Sequence, residues 1–254
     1  VMIPDKNGDN RFYYLDCVVI KEKQRNIGLK LTLKTATQLK KYSSQLSGQS
    51  AHFTFDSIIG ESAEMRRQKR LGMKAAASMS NVLITGESGT GKEMFAQSIH
   101  NASARAAEPF VPINCGAIPK ELIGTELFGY EGGAFTGASR SGSSGKLEQA
   151  NGGTLFLDEI GEMPIDMQSF LLRFLEDGVI TRIGGKKYIP LNVRIIAATN
   201  KDLAKCVDEG TFRMDLYFRL NVQRLILPPL RGRCTATAGR AISASSETLW
   251  NAAS

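Results

Sequence analysis

Short apolar runs and longer stretches of helical period alternate along this 254-residue chain, and the alternation predicts its architecture. Runs at Val82 to Thr85, Phe110 to Asn114, Thr154 to Asp158 and Val193 to Thr199 read as strands. Between them, helical patterns begin at Lys92, near Pro119, and over Ile165 to Glu176. In the last of these, Met167, Phe170, Leu171, Phe174 and Leu175 recur at helical spacing and predict a packed core face. Strand and helix in turn from Asp56 onward predict a doubly wound α/β fold around a parallel sheet. Upstream, Arg11 to Lys21 and Gly28 to Lys34 read as two strands and Thr35 to Leu46 as a helix, ending at the polar break Ser47 to Ser50. From Phe128 to Gly145 the chain is rich in glycine and has no long apolar run, which predicts exposed loops.

The strand Val82 to Thr85 runs into Gly86, Glu87, Ser88, Gly89, Thr90, Gly91, Lys92 and Glu93. Glycines let the backbone wrap close enough to aim several N–H groups at a polyphosphate, Lys92 adds a point charge, and the following helix presents its positive end. These features imply a P-loop that holds a nucleotide. Glu93 stands where a hydroxyl side chain usually follows the lysine, so this loop offers no hydroxyl to Mg2+. The metal must then depend on a distant carboxylate, the phosphates and water. That carboxylate is found in Asp158-Glu159, two acids at the carboxyl edge of a buried strand, where ligands of such sheets bind. Because the backbone turns at a strand end, Asp158 can hold the metal while Glu159 faces a water. By itself an acidic pair after an apolar run is more often a solvated strand end, and the preceding loop is what changes that reading.

A net charge of +7 suggests a nucleic-acid binder until it is divided along the chain. Residues 1 to 50 hold nine Lys and Arg against four acids, residues 231 to 254 three against one, and the segment between is balanced at twenty each. A basic recognition face within the core is therefore unsupported, and the excess belongs to solvated flanks. No apolar run approaches the roughly 18 residues of a membrane span, and no export signal opens the sequence, so a soluble, cytoplasmic protein is expected. Cys17, Cys115, Cys206 and Cys234 lack metal-ligand spacing and read as reduced thiols.

From Phe55 to Arg231 the chain resembles the central AAA+ ATPase domain of bacterial sigma-54-dependent transcription activators. The most specific element is Gly133-Ala134-Phe135-Thr136-Gly137-Ala138, a hexapeptide that in this family sits on a surface loop and touches the sigma factor. Around it stand Asn114-Cys115-Gly116, Glu126 to Glu131, Ala198-Thr199-Asn200 and Phe212 to Leu220, in the family's order. The resemblance implies ATP hydrolysis with Mg2+, coupled to loop movement that remodels the sigma-54 RNA polymerase holoenzyme. Asp158 would then aid the metal, Glu159 polarise water, Asn114 restrain Glu159, and Asn200 sense the γ-phosphate. Arg213 and Arg219 resemble arginines that one subunit inserts into its neighbour's site, so the implied assembly is a homo-oligomeric ring, a hexamer in the family. Phe135 and Thr136 are the candidate sigma contacts. Ile59 and Gly60 occupy the family's adenine-contacting turn, with a core isoleucine beside a turn glycine as the alternative.

Residues 1 to 50 resemble the end of a sensory PAS domain and its connecting helix, too little of one to enclose a ligand. The chain departs from the family after Pro228-Pro229-Leu230-Arg231, where a helical lid is expected. Of residues 232 to 254, fifteen are Ala, Ser, Thr or Gly, so this tail is read as disordered. No lid and no DNA-binding domain is recognised, and DNA binding is expected only of such a further domain. Two readings stay open: an ATP-driven remodeller, or a module that binds nucleotide or sigma factor without turnover.

Overall fold

The computed structural model describes residues 2–4, 10–22, 25–35, 51–134, 139 and 141–229. Strands β1 (Met2–Pro4), β2 (Asn10–Glu22) and β3 (Arg25–Thr35) form an antiparallel sheet in that order. Both expected strands fall within β2 and β3, whose pairing runs from Tyr13 opposite Thr35 to Glu22 opposite Arg25. Thr35, where a helix was expected to begin, ends β3 as strand, and the rest of that expected helix lies outside the described residues. So does the tail after Pro229.

The larger unit follows in chain order as α1 (Ala63–Ala77), β4 (Val82–Thr85), α2 (Lys92–Asn101), β5 (Phe110–Asn114) and α3 (Lys120–Phe128). Next come β6 (Gly129–Tyr130), β7 (Ser143–Ser144), α4 (Lys146–Gln149), β8 (Thr154–Asp158) and α5 (Ile165–Asp177). The last elements are β9 (Val179–Thr181), β10 (Tyr188–Pro190), β11 (Arg194–Thr199), α6 (Leu203–Asp208), α7 (Met214–Leu220) and β12 (Gln223–Ile226). Five strands form one parallel sheet in the order β12-β4-β11-β8-β5. Their carboxyl ends lie along a common edge, so the loops after β4, β5, β8 and β11 meet there.

Successive strand residues point to opposite faces, and each face has its own core. Phe156, Ile196, Ala198 and Leu225 pack with Phe95 and Ile99 of α2 and Ala75 of α1. Leu155, Leu157, Ile195 and Ala197 pack with Leu127 of α3, Leu171 and Phe174 of α5, and Leu216 and Leu220 of α7. Because both faces are covered, the strands are continuously apolar, which is why their limits were readable. The expected core face of α5 needs correction at Phe170. Leu171 and Phe174 are buried, but Phe170 is 49% exposed, its ring 5.7 Å from that of Phe128 at the rim of the core. A core-facing position in α5 is taken instead by Gln168, which is fully buried.

At the opposite, amino-terminal edge of the sheet, His100 is buried, with Nδ1 2.9 Å from Thr154 Oγ1 and its ring 5.3 Å from that of Phe110. Burial pushes its imidazole down to about 4, and the charges of Arg194 and Arg105 act in the same direction against a partly offsetting backbone contact at Glu108. The folded protein therefore holds His100 neutral while the unfolded chain takes up a proton near the ordinary value of 6.5. Stability is complete above that value and falls as the pH drops towards 4, by up to about 3 kcal/mol. Urea unfolding at pH 7 and pH 4.5 will show a larger acid loss in the parent than in His100→Phe. Equal losses would contradict this assignment.

Candidate functional site

The phosphate loop leaves β4 at Gly86 and enters α2 at Lys92, with Gly89 and Gly91 at φ 79° and 84°. Left-handed backbone at these two positions turns the chain twice within four residues, which side-chain-bearing residues resist. The Gly86 N–H donates to Thr199 O at 3.3 Å, tying the loop to the end of β11. A Cβ on Gly86 would lie 2.9 Å from Thr90 Oγ1, so the loop closes tightly over its own hydroxyl. Thr90 Oγ1 in turn donates to Glu87 O at 2.8 Å. Lys92 is buried, and its Nζ donates to Gly86 O at 3.0 Å and Glu87 O at 3.1 Å. The ammonium thus lies inside the curl of the loop, held by carbonyls that a phosphate oxygen can replace. Ser88 and Gly89 are exposed at the loop's tip, and Glu93 on α2 accepts from Gln97 Nε2 at 3.0 Å.

The acid pair stands opposite. Asp158 ends β8, and Glu159 follows it at φ 49°, the one side-chain-bearing residue at positive φ among those described. This turn sends the two carboxylates different ways. Asp158 Oδ1 accepts from the Glu159 N–H at 3.0 Å, and Oδ2 from Asn114 Nδ2 at 3.4 Å. Burial pushes the Asp158 carboxyl above the usual carboxylate range, with the Glu159 N–H and Lys92 pulling the other way. Glu159 Oε1 lies 3.8 Å from Lys92 Nζ, and Oε2 accepts from the Asn200 N–H at 3.3 Å. Acid pair, lysine and Asn200 therefore converge, as their places on neighbouring strands require.

Asn114 is brought to the same edge, but its amide is spent differently from what the resemblance implies. Its Oδ1 accepts from the N–H groups of Gly116 and Ala117 at 2.8 and 3.1 Å, and its Nδ2 reaches Asp158; no hydrogen bond to Glu159 is formed among the described residues. Asn114, Glu159, Glu162, Lys120 and Asn200 line an open cavity of about 430 Å³. Cys115 faces it too, its thiol pushed up to about 12 by burial and by the nearby acids, so it is an inert packing group. Among the described residues no three His, Cys, Asp or Glu side chains cluster as a metal cage. The donor set suits Mg2+ only with phosphate and water completing its shell around Asp158.

Ile59 is 96% exposed, so the core alternative for it does not hold; its neighbour Ile58 takes the core place. Gly60 has φ 140°, and a Cβ there would meet Met65 Cγ at 3.0 Å. Arg213 and Arg219 contact neither the phosphate loop nor the acid pair. The Arg213 guanidinium donates to both Asp215 oxygens at 3.0 and 2.7 Å and to Ser169 Oγ at 3.2 Å, and that pairing holds its charge firmly. Arg219 donates to Leu175 O at 3.1 Å, and its backbone carbonyl receives Asn81 Nδ2 at 3.2 Å. Asn81 precedes β4, so the Arg219 backbone is tied to the start of that strand, about 13 Å, one strand length, from the end where the phosphate loop begins.

Gly133 and Ala134 open the hexapeptide, whereas Phe135, Thr136, Gly137 and Ala138 lie outside the described residues. The stretch expected as loops has an ordered base in which β6 pairs with β7. Arg182 fixes this base: Nε and Nη2 each donate to a Glu148 oxygen at 2.8 Å, and Nη1 lies 3.6 Å from Glu131. Glu131 N–H donates to Ile183 O at 3.0 Å and Ile183 N–H to Gly129 O at 2.9 Å, so the β9–β10 hairpin is laced to the hexapeptide's stem. Sequence reasoning missed Arg182 and Gln168, which bond Glu148 and Thr211 across more than 30 residues of chain.

Residues 58–226 match the Sigma-54 interaction domain. The chain is 53% identical over 234 residues to a signal-transduction and transcriptional-control protein of Clostridium beijerinckii, covering 92% of this chain and 37% of that protein. It is 56% identical over 176 residues to the DNA-binding transcriptional regulator NtrC of Proteus hauseri, covering 69% and 37%. NtrX from Brucella abortus, solved in complex with ATP, superposes with a TM-score of 0.63 at 37% identity, over 74% of this chain and 39% of that one. The chain thus spans a little over a third of the length of these relatives. Among the described residues no helix is long and apolar enough to cross a membrane. With its P-loop, its five parallel strands and its match over 58–226, this chain belongs to the sigma-54-dependent transcriptional activators and carries their central AAA+ domain.

Proposed function

We propose that this chain is the ATP-hydrolysing motor of a sigma-54 activator, which remodels the sigma-54 RNA polymerase holoenzyme through its hexapeptide loop. The observation that carries this reading is the convergence of Lys92, Asp158 and Glu159, with Lys92 Nζ 3.8 Å from Glu159 Oε1. ATP enters by replacing the carbonyls of Gly86 and Glu87 on Lys92, and the N–H groups of the loop and the start of α2 take up the phosphates. Asp158 is the residue that would hold Mg2+, which would offset phosphate charge when bound. Once a γ-phosphate occupies Lys92, Glu159 is free to orient water, with the Asn200 N–H fixing one oxygen. Asn200 senses the phosphate through this contact, and Asn114 acts on the acid pair through Asp158. The bare Ile59, with Gly60, offers an apolar surface for the adenine ring.

The arginines belong to a neighbour's site. Their bonds, made to Asp215, Ser169 and Leu175 and not to the chain's own loop or acid pair, support a ring in which Arg213 and Arg219 reach across, a hexamer by family analogy. A balanced core charge gives no support for DNA contact by this segment, so DNA binding is assigned to another part of the protein. Residues 1–50 are read as the end of a PAS-like module with its connecting helix, and residues 51–231 as the motor. ATP turnover over a protein dilution series tests the reading: ring-dependent catalysis rises faster than linearly, whereas a binding module without turnover stays silent at every concentration.

In sequence the hexapeptide follows the stem laced at Arg182 and is well separated from the phosphate loop, so chemistry and contact should separate. Thr136→Ala will keep ATP turnover within about twofold and lose capture of sigma-54 in the presence of a transition-state analogue. Undiminished capture would remove Thr136 from the contact.

A further inference from the structure

Gln168 sits in the first turns of α5, is fully buried, and has its amide bonded at three separate points of backbone. Its Nε2 donates to Met163 O at 2.9 Å and to Thr211 O at 3.0 Å, and its Oε1 accepts from the Arg213 N–H at 2.8 Å. Met163 closes the short turn Ile160–Glu162 that directly follows Glu159. Thr211 and Arg213 flank the buried Phe212 in the segment leading into α7. One side chain thus joins the loop behind the acid pair to the backbone that aims an arginine. Its helix repeats the link along its length, through Ser169 to the Arg213 guanidinium and through Leu175 O to Arg219.

A leucine could fill the same volume, but it would take the amide partner from the buried Met163 carbonyl and from the part-buried Thr211 carbonyl and Arg213 N–H, a cost that falls hardest at Met163. Arg213 begins α7 with no side-chain cap, and its side chain is otherwise held by the exposed Asp215 and Ser169. Its direction therefore depends on the backbone that Gln168 fixes. Resting on the trans-arginine reading above, we infer that Gln168 is a positioning residue: it sets the arginine offered to the neighbouring subunit in register with the acid-pair loop of its own site. A shift of Ile160–Met163 on nucleotide exchange is then passed through the amide to Arg213.

The test is subunit complementation in the full-length protein. Gln168→Leu removes all three bonds, and Gln168→Glu keeps an acceptor for Arg213 while losing both donors. Both variants will bind a fluorescent ATP analogue within about twofold of the parent, because Lys92 and its loop are untouched. Turnover will fall about 10²-fold through kcat with KM little changed, the scale of loss that an ångström of misplacement causes. Mixed with Glu159→Gln subunits, which have dead sites but correctly set arginines, each Gln168 variant will recover turnover at least tenfold above that of either variant alone. No recovery while Arg213→Ala is rescued in the same mixture overturns the proposal, as does loss of nucleotide binding in both variants, which would make the amide purely structural. If Arg213→Ala is not rescued either, the trans-arginine reading fails and this inference falls with it.

Discussion

Replacing Glu159 by glutamine will leave ATP affinity near that of the parent and reduce single-turnover hydrolysis by about 10² to 10⁴-fold, the usual contribution of a positioned general base. The amide keeps the shape and the acceptor facing the Asn200 N–H but cannot draw a proton from water. Glu159 lies beside Lys92 yet belongs to a different loop, so losing its charge leaves the phosphate cradle standing. Lys92→Ala will act in the opposite way, abolishing measurable binding because the only ammonium inside the loop's curl is gone. Nucleotide titration beside single-turnover assays reads the two variants apart. Equal loss of binding in both would sink this division of roles.

Removing the Arg213 guanidinium is expected to cost more. An arginine that stabilises transition-state charge across an interface contributes about 10³ to 10⁵ in rate. Arg213→Ala should therefore hydrolyse ATP at a rate hardly above background, with nucleotide affinity nearly unchanged. Its present partners, Asp215 and Ser169, are exposed or on its own helix pair, so the substitution leaves no buried charge unpaired and stability should hold. Turnover and thermal melting measured on the same preparation decide the matter. A loss of less than tenfold would assign the trans role to Arg219 or remove it altogether.

The strands of the central sheet were legible because burial on both faces leaves a bare apolar run: β4, β5 and β8 begin and end where the sequence placed them. The start of β11 shifted by one residue, from Val193 to Arg194, because pairing with Thr154, and not apolarity, sets it. Convergence of the loop and the acid pair was legible too, since strand ends of a parallel sheet share an edge. Other features were hidden by distance along the chain. The two-residue strands β6 and β7 carry no local signal and exist through contacts with each other and with Ile183. Gln168 carries no local signal, since two of its three amide partners, Thr211 and Arg213, lie more than 40 residues onward. Phe170 fits the helical period, yet the core is narrower than the period allows, and the ring is left at its rim.

The left-handed backbone at Glu159 has a consequence for how this protein tolerates change. Glycine, asparagine and aspartate accept that conformation readily, but none of them carries a carboxylate as far as glutamate does. Longer or branched side chains meet the opposite obstacle, since each bears the conformational cost without supplying the acid. Chemistry thus excludes the residues that geometry favours, and geometry disfavours the remainder. In a saturation library read out by transcription from a sigma-54 promoter, position 159 should show an almost empty row of viable substitutions, whereas at Gly89 a Cβ would meet no protein atom within 4 Å, so substitutions there should be limited by the sign of its φ and by the room the phosphates need.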